Sequence, residues 1–361
     1  MTTRTATQAR YRNALIGLAA GDAWGYQVEF RKYAQMTAYP VPAPKKVWRI
    51  SDDTQMTLAL HDALVDAGDQ LDDIDVVTKA ITARFLEWQV DRDNNRAPGA
   101  TCMGSLARLR HGAHWHDADG ALPRYGCGAV MRLAPAALCP EPVWLGITAL
   151  QAVLTHKHPR AIASALVLAD AIRSATRLRG HFLEHAISAA MSIVTGESPW
   201  LRDEFLLDVL SPMTSDVAGM LAEGVRDVLL DALLDAYTVK QELVTLSPAD
   251  YGDPCTGIGE GWESGSAVAV GLLVADMATA PGRRRAPLNG REGLAWAATS
   301  NGDSDSIASI AGAVIGAAHT GSSYWAAVKM TPRFEPRYAK ALRHAPGAAR
   351  SFLAAPSAVG R

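Results

Sequence analysis

The stretch "NGDSDSIASIAGAVIGAAH" at residues 301–319 decides the fold class. Behind its acidic start it is almost free of charge, and small side chains recur through it, as in "AGAVIGAA" at 311–318. An apolar run of this kind with helical spacing is typical of a helix that is buried on all sides. Small residues at positions i and i+4 let two helix axes approach closely, so we expect a dense multi-helix globule.

Helical periodicity continues along the rest of the chain. One predicted helix follows Thr54, and another predicted helical face runs through 217–229. Convincing period-two alternation of β-branched and aromatic residues, which would indicate strands, is missing. The sequence therefore predicts an all-α fold. We expect one compact domain over residues 1–345, followed by a small-residue-rich tail at 346–361 that frays.

Composition excludes several classes of protein. The chain of 361 residues has 35 basic and 37 acidic side chains, which argues against an electrostatic nucleic-acid binder. The run Arg283–Arg285 is interpreted as a solvated loop tip, with a phosphate-binding role as the alternative. Four cysteines without CxxC spacing indicate a reducing compartment, and the longest apolar stretch is too short to span a bilayer. We therefore expect a cytoplasmic protein. We also expect a monomer.

Two acidic clusters each stand at the start of a predicted helix. They are "SDDT" at 51–54 and "DSDS" at 303–306. Taken alone, either cluster is explained as a helix cap, because Ser and Asp accept hydrogen bonds from the first turn. Two carboxylates and hydroxyls in each cluster exceed what a cap needs, and such charge requires compensation. Mg²⁺ or Mn²⁺ prefers oxygen ligands of this kind. Periodicity does not show whether the clusters meet.

Five strings in order along the chain carry a family resemblance. They are "GLAAGDAWGYQVEF", "SDDTQMTLAL", "GCGAVMR", "LTHKHP" and "NGDSDSIASIAGAVIGA". Together they resemble the ADP-ribosylglycohydrolase family, to which the dinitrogenase reductase-activating glycohydrolase belongs. The resemblance implies an all-α domain and a centre of two Mg²⁺ or Mn²⁺ ions between the two clusters. The metal ligands that it implies are Ser51, Asp52, Asp53, Asp303, Asp305 and Ser306.

The resemblance also implies catalytic and substrate-binding residues. Glu29, Asp52 and Asp53 are the candidates for proton transfer, and the choice among them stays open. The substrate-binding residues that it implies are Gly99, Thr101, Ser105, Gly126, Cys127, Gly128, Met131 and His156. Glycines suit a loop whose backbone N–H groups approach a diphosphate. For His156 the alternative is a hydrogen-bonded core histidine.

Two positions depart from the family's pattern. Cys127 stands where the family usually has Asn, and nucleophilic catalysis by this thiol is disfavoured because no adjacent base is evident. Ala97 stands where members often carry an acid. If that acid grips an arginine guanidinium, its absence weakens the case for an arginine-linked substrate.

The reaction implied by the resemblance is hydrolysis of the C1″ glycosidic bond of an ADP-ribosylated protein or small molecule, with release of ADP-ribose. One alternative is a catalytically silent ADP-ribose-binding relative. Another is a two-metal hydrolase that cleaves the diphosphate, which the absence of metal-spaced histidines disfavours. The linkage of the substrate stays open among arginine, serine, O-acetyl, poly(ADP-ribose) and nucleic-acid adducts.

Overall fold

The computed structural model describes residues 3–280 and 287–353. Within these ranges the regular structure is helical, and backbone pairing outside helices is limited to isolated bridges. The prediction of an all-α fold is confirmed. In chain order the α-helices are α1 (Thr3–Gly25), α2 (Asp52–Ala67), α3 (Ile74–Gln89), α4 (Ala100–Arg110), α5 (Ala134–Ala137), α6 (Trp144–Val153), α7 (Pro159–Leu178), α8 (Phe182–Val194), α9 (Glu204–Leu210), α10 (Val217–Gly224), α11 (Leu230–Leu243), α12 (Ser264–Thr279), α13 (Gly290–Ala297), α14 (Ser304–Ala317), α15 (Tyr324–Ala327), α16 (Pro336–Ala348) and α17 (Arg350–Leu353).

The antiparallel pair of α1 and α14 forms the centre of the fold. A Cβ atom added to Gly17 would lie 2.2 Å from the carbonyl oxygen of Gly312, and one added to Gly312 would lie 2.1 Å from that of Gly17. Near the other end of the pair, a Cβ on Gly25 would lie 2.3 Å from the Ser304 carbonyl oxygen. Only glycine permits backbones to pack this closely. This contact places the acidic start of α14 beside the end of α1.

The buried apolar side chains form a continuous cluster that extends from α1 to α17. In α12 and α14 every residue is buried, as expected for helices enclosed by others. No helix of the described chain has the length and apolar character needed to cross a membrane.

The predicted tail does not fray over residues 346–353. This segment completes α16 and forms α17, and the Phe352 side chain is only 1% exposed. Its ring packs edge-on against Tyr11 of α1 at 5.8 Å between centroids. Phe352, with the buried Ala349 and the partly buried Leu353, packs on the core a segment whose composition predicted fraying. Residues 354–361, and Arg283–Arg285 of the predicted loop tip, lie outside the described residues.

The predicted helical face through 217–229 is interrupted. Helix α10 ends at Gly224, and the π-helical turn Val225–Leu229 that follows contains non-helical backbone at Asp227 and Val228. Val228 has a φ of 98°, which is strained for a β-branched residue. The Asp227 carboxylate lies 2.7 Å from the Arg160 guanidinium of α7. This contact cannot be predicted from the local sequence.

Candidate active site

Each acidic cluster caps its own helix. The Ser51 hydroxyl accepts a hydrogen bond from the Asp53 backbone N–H at 3.4 Å, and the Asp303 carboxylate accepts one from the Ser306 N–H at 3.3 Å. The capping interpretation is therefore correct for Ser51 and Asp303. It does not account for the other carboxylates, which lie beyond the cap positions.

The two clusters meet at one cavity of about 390 Å³. The cavity is lined by carboxylates from both clusters and by Glu29. Oxygen atoms of Glu29, Asp303 and Asp305 lie within 4.8 Å of one another. In the part of the chain that the structure describes, no lysine or arginine forms an ion pair with these groups. The cavity thus gathers negative charge that these side chains do not neutralise.

Burial and mutual repulsion disfavour the ionised forms of these carboxyl groups. Burial, followed by the charge of Asp303, raises the pKa of Glu29 to about 8. Burial is also the main cause that raises the pKa of Asp52 to about 8. The pKa values of Asp53 and Asp305 lie well above the usual range for the same reason, with repulsion from neighbouring carboxylates added. A bound cation would reverse this and favour the ionised forms.

The donor set fits a hard divalent cation. Glu29 Oε2 and Asp53 Oδ1 are buried and have no hydrogen-bond partner in the described chain. Orphaned buried acceptors are costly, and a cation is the partner that would satisfy both. The groups around them are carboxylate and hydroxyl oxygens, the ligands that Mg²⁺ and Mn²⁺ prefer.

Asp22, which the sequence patterns do not single out, holds the first cluster in place. This buried carboxylate accepts hydrogen bonds from the Ser51 N–H at 2.8 Å and the Thr54 N–H at 3.0 Å, and from the Thr54 hydroxyl. Burial raises the pKa of Asp22 to about 6, although these hydrogen bonds lower it. The signal in the sequence is an acid within the otherwise apolar second half of α1, in "GLAAGDAWG".

Most of the predicted substrate-binding residues line the same cavity. These are Gly99, Thr101, Gly126, Cys127, Gly128, Met131 and His156. A Cβ on Gly128 would lie 2.8 Å from the imidazole Cε1 of His156, so glycine is required where the loop crosses this ring. Ser105 is different, because its hydroxyl is buried between the Thr155 carbonyl and the Leu122 N–H. Ser105 is thus not among the residues that line the cavity, and a role for it in substrate binding stays a prediction.

The family model for ADP-ribosylglycohydrolase matches residues 3–323. The chain belongs to the ADP-ribosylglycohydrolase family. It is 33% identical over 175 residues to ADP-ribosyl-[dinitrogen reductase] glycohydrolase of Rhodospirillum rubrum, across 44% of this chain and 55% of that protein. It is 26% identical over 178 residues to an uncharacterized protein of Archaeoglobus fulgidus, across 46% of this chain and 55% of that protein. The matches thus span about half the length of each relative.

A solved structure shares the fold. It is described as an ADP-ribosylglycohydrolase-related protein complex and has a TM-score of 0.58 at 21% identity, over 96% of both chains. At this level of identity the likeness shows the fold alone, and it agrees with the family assignment.

The cavity of this ADP-ribosylglycohydrolase family member contains a thiol next to an acid. Cys127 Sγ donates a hydrogen bond to Asp303 Oδ2 at 2.8 Å. Burial and the adjacent carboxylate raise the pKa of the Cys127 thiol well above its usual range, which keeps it protonated. A protonated thiol that donates to an acid is a poor nucleophile, so the geometry also disfavours covalent catalysis by Cys127.

Aromatic side chains border the mouth of the cavity. Phe30, next to Glu29, stacks on Trp262 with 6.2 Å between ring centroids, and both rings are exposed. An ion pair of 3.0 Å between Lys32 and Glu260 joins the same two loops. Ala97 also lines the cavity, with a left-handed φ of 54°.

Proposed function

We propose that this protein is a metal-dependent hydrolase that cleaves the C1″ glycosidic bond of an ADP-ribosylated protein or small molecule and releases ADP-ribose. The observation that carries the proposal is the convergence of the two acidic clusters on one cavity that glycine-rich loops also line. Its volume of about 390 Å³ falls in the range of about 300–1,000 Å³ that is typical of ligand sites. Membership of the family supplies the substrate class.

Two divalent cations, Mg²⁺ or Mn²⁺, are the proposed cofactors. The residues that would hold them are Ser51, Asp52, Asp53, Asp303, Asp305 and Ser306, with Glu29 close enough to join them. All of these except Ser51 line the cavity, and the Ser51 hydroxyl donates to Asp53 Oδ2 at 3.2 Å. Bound there, the cations would neutralise the carboxylates, bind the distal ribose hydroxyls and activate water for attack on C1″.

The chain's own carboxyl groups are the candidates for proton transfer. In glycoside hydrolysis one acid protonates the leaving group and one base accepts a proton from water. Glu29, Asp52 and Asp53 all line the cavity. Without cations, burial raises the pKa of Glu29 and of Asp52 to about 8, and bound cations would favour the ionised forms that can accept a proton from water. Glu29, Asp52 and Asp53 therefore remain the proposed catalytic residues. The orphaned Oε2 of Glu29 is free to accept or donate.

The glycine-rich walls of the cavity would bind the ADP-ribose. The Gly126–Gly128 loop and the start of α4 at Thr101 line the cavity, and a glycine-rich loop and a helix N-terminus suit a diphosphate. The N–H groups of Cys127 and Gly99 are already donated, to the Trp262 carbonyl and to Asp52 Oδ2. Ala97 leaves no carboxylate at the position where an acid would grip a guanidinium, which favours a linkage other than arginine. A monomer in a reducing, cytoplasmic compartment stays our prediction, and all four cysteines are free.

The catalytically silent alternative is disfavoured by the free energy that burying several carboxylates costs the folded protein. A protein that only binds ADP-ribose has no need for buried carboxylates whose repulsion works against folding. The diphosphate-cleaving alternative predicts a different product. Both alternatives use the same cavity, so they are distinguished by whether a reaction occurs and by its products.

Analysis of the reaction products tests the proposal. We expect purified protein with Mg²⁺ to convert an ADP-ribosylated substrate to free ADP-ribose, as seen by liquid chromatography and mass spectrometry. Asp53→Asn should abolish the reaction, whereas Asp72→Asn, a matched change at an exposed position after α2, should not. AMP with a ribose phosphate as the products would replace the proposal with diphosphate cleavage. Equal rates in the two variants would contradict a role for the acidic cluster.

A further inference from the structure

Arg132, the last residue of "GCGAVMR", is fully buried and is among the largest such side chains in the described part of the chain. Its guanidinium donates to the side-chain and backbone oxygens of Gln151 at 2.9 and 2.7 Å, and to the Thr155 hydroxyl at 2.6 Å. It also contacts the sulfur atoms of Met56 at 3.2 Å and Cys102 at 3.5 Å, and its Cζ lies 4.6 Å from the centroid of the Phe85 ring, a cation–π contact. None of these acceptors is a carboxylate.

A buried arginine without an ion-pair partner is expensive. Burial lowers the pKa of Arg132 from its usual value, yet a guanidinium does not lose its proton in proteins. Packing alone does not explain the residue, because a methionine would fill the space without the cost of burying a charge. Arg132 is connected to the cavity, because it donates to Thr155, whose hydroxyl contacts His156 of the cavity lining.

Thr155 connects Arg132 to His156. A guanidinium only donates, so the Thr155 oxygen is the acceptor in that contact. Thr155 Oγ1 also lies 2.9 Å from His156 Nδ1. A hydroxyl oxygen can accept two hydrogen bonds, so the contact with Arg132 alone does not set the direction. The hydroxyl proton still needs an acceptor, and among the hydrogen bonds of the described residues the nitrogen acceptor within reach is Nδ1, with the weaker Cys102 sulfur as the alternative. Donation in that direction requires Nδ1 to be bare and places the imidazole proton on Nε2.

The other ring nitrogen of His156 faces the cavity. His156 is 2% exposed and lines the cavity wall, and its Nε2 would lie 3.4 Å from a Cβ on Gly126. Among residues 3–280 and 287–353, no protein group makes a hydrogen bond with Nε2. Burial and the charge of Arg132 lower the pKa of His156 to about 3, which keeps the ring neutral.

We propose that Arg132 and Thr155 are positioning residues that hold His156 as the neutral Nε2–H tautomer, so that it presents one fixed hydrogen-bond donor to the ligand. The ligand group that such a donor recognises is an acceptor oxygen, and the diphosphate of ADP-ribose has the most of these. This inference rests on the proposed function for the identity of the ligand. In this proposal Arg132 acts through Thr155 to fix the tautomer of His156, a role that the glycines of the Gly126–Gly128 loop do not have.

The opposite arrangement would have the opposite specificity. If Nδ1 carried the proton, Nε2 would be a bare acceptor that repels phosphate oxygens and prefers a ribose hydroxyl. The direction of one hydrogen bond at Thr155 therefore decides which part of the ligand lies against His156.

The test compares Thr155→Val, which removes the hydroxyl and keeps the shape, with Thr155→Ser, which keeps the hydroxyl. Protein labelled with ¹⁵N in histidine reports the tautomer through long-range proton–nitrogen correlations in buffer with Mg²⁺. The signals of His156 are identified by their loss in His156→Gln. Calorimetric titration with ADP-ribose gives the affinity of each variant.

We expect His156 of the unchanged protein to carry its proton on Nε2. Thr155→Val should mix the tautomers and weaken ADP-ribose binding about tenfold or more, and Thr155→Ser should restore both properties. A proton on Nδ1 in the unchanged protein, or a Thr155→Val variant with unaltered tautomer and affinity, would overturn the inference. If the unchanged protein does not bind ADP-ribose, the proposed function fails, and the tautomers still decide whether Thr155 orients the ring.

Discussion

Replacing Asp22 by Asn tests how the first acidic cluster is held. The two carboxylate oxygens of Asp22 lie 2.8 and 3.0 Å from the Ser51 nitrogen, and Oδ2 also lies 3.0 Å from the Thr54 nitrogen. An asparagine amide must place its NH₂ group against one of these N–H donors, whichever way it is turned. With its oxygen in the Oδ2 position the amide still accepts from the Ser51 and Thr54 N–H groups, but its NH₂ group then lies against the Ser51 N–H, and the charge that strengthened these hydrogen bonds is lost.

The expected loss in the free energy of unfolding is ~1–3 kcal/mol, from the repulsion between the new NH₂ group and the Ser51 N–H and from the weakened charge-assisted bonds. Because Ser51 and Thr54 flank Asp52 and Asp53, the variant should also lose part of its stabilisation by Mg²⁺. Urea unfolding with and without Mg²⁺ measures both quantities. It is best done near pH 8, since the pKa of Asp22 is raised to about 6 and the group must be ionised.

The matched control is Asp72→Asn, an exposed carboxylate that should change stability by no more than ~0.5 kcal/mol. A loss below ~0.5 kcal/mol in Asp22→Asn would refute the account of the hydrogen bonds. A large loss in the free energy of unfolding that leaves the stabilisation by Mg²⁺ unchanged would show that Asp22 does not support the metal centre.

Three further predictions concern the metal centre, the helix pair and a buried histidine. Asp303→Ala should abolish ADP-ribose release and the Mg²⁺-dependent rise in Tm together, as followed by product assay and scanning fluorimetry; an unchanged rate would contradict the two-cluster site. Gly312→Ala would put a Cβ 2.1 Å from the Gly17 carbonyl oxygen and should cost ~1–3 kcal/mol or more in urea unfolding, whereas Gly347→Ala, which meets nothing within 4 Å, should be near neutral; similar values for both would refute the close packing. Burial lowers the pKa of His61 to about 4, so the unfolded chain binds a proton first as the pH falls from about 6.5. Stability should fall by ~3 kcal/mol between about pH 6.5 and 4 on account of this group, and an equal pH dependence in His61→Asn would show the assignment to be wrong.

The fold was predictable because it depends on local patterns. Small residues at spacings of four in 301–319 indicated close helix packing, and the contacts of Gly312 and Gly17 have that geometry. By contrast, the meeting of residues 51–54 with 303–306 could not be predicted from periodicity, because the clusters lie near opposite ends of the chain. The family resemblance supplied that step, through the order of its motifs.

The misses share a physical cause, which is a long-range contact by one side chain. Asp22 looked like an ordinary acid in a helix, and its hydrogen-bond partners begin at Ser51. Phe352 holds a segment of small residues against Tyr11, so composition alone suggested fraying. The turn at Val228 breaks a regular apolar pattern, next to the ion pair of Asp227. Patterns within a helix carry no information about such partners.

The measurement that tests the central claim most directly is ADP-ribose release from arginine-, serine- and O-acetyl-linked substrates, each with Mg²⁺, with Mn²⁺ and with EDTA. The account predicts release from one linkage, other than arginine, that depends on the metal and stops in EDTA. Release that persists in EDTA would contradict the metal centre. If no substrate releases ADP-ribose with metal present, while free ADP-ribose still binds, the protein binds ADP-ribose and is not a hydrolase of these linkages.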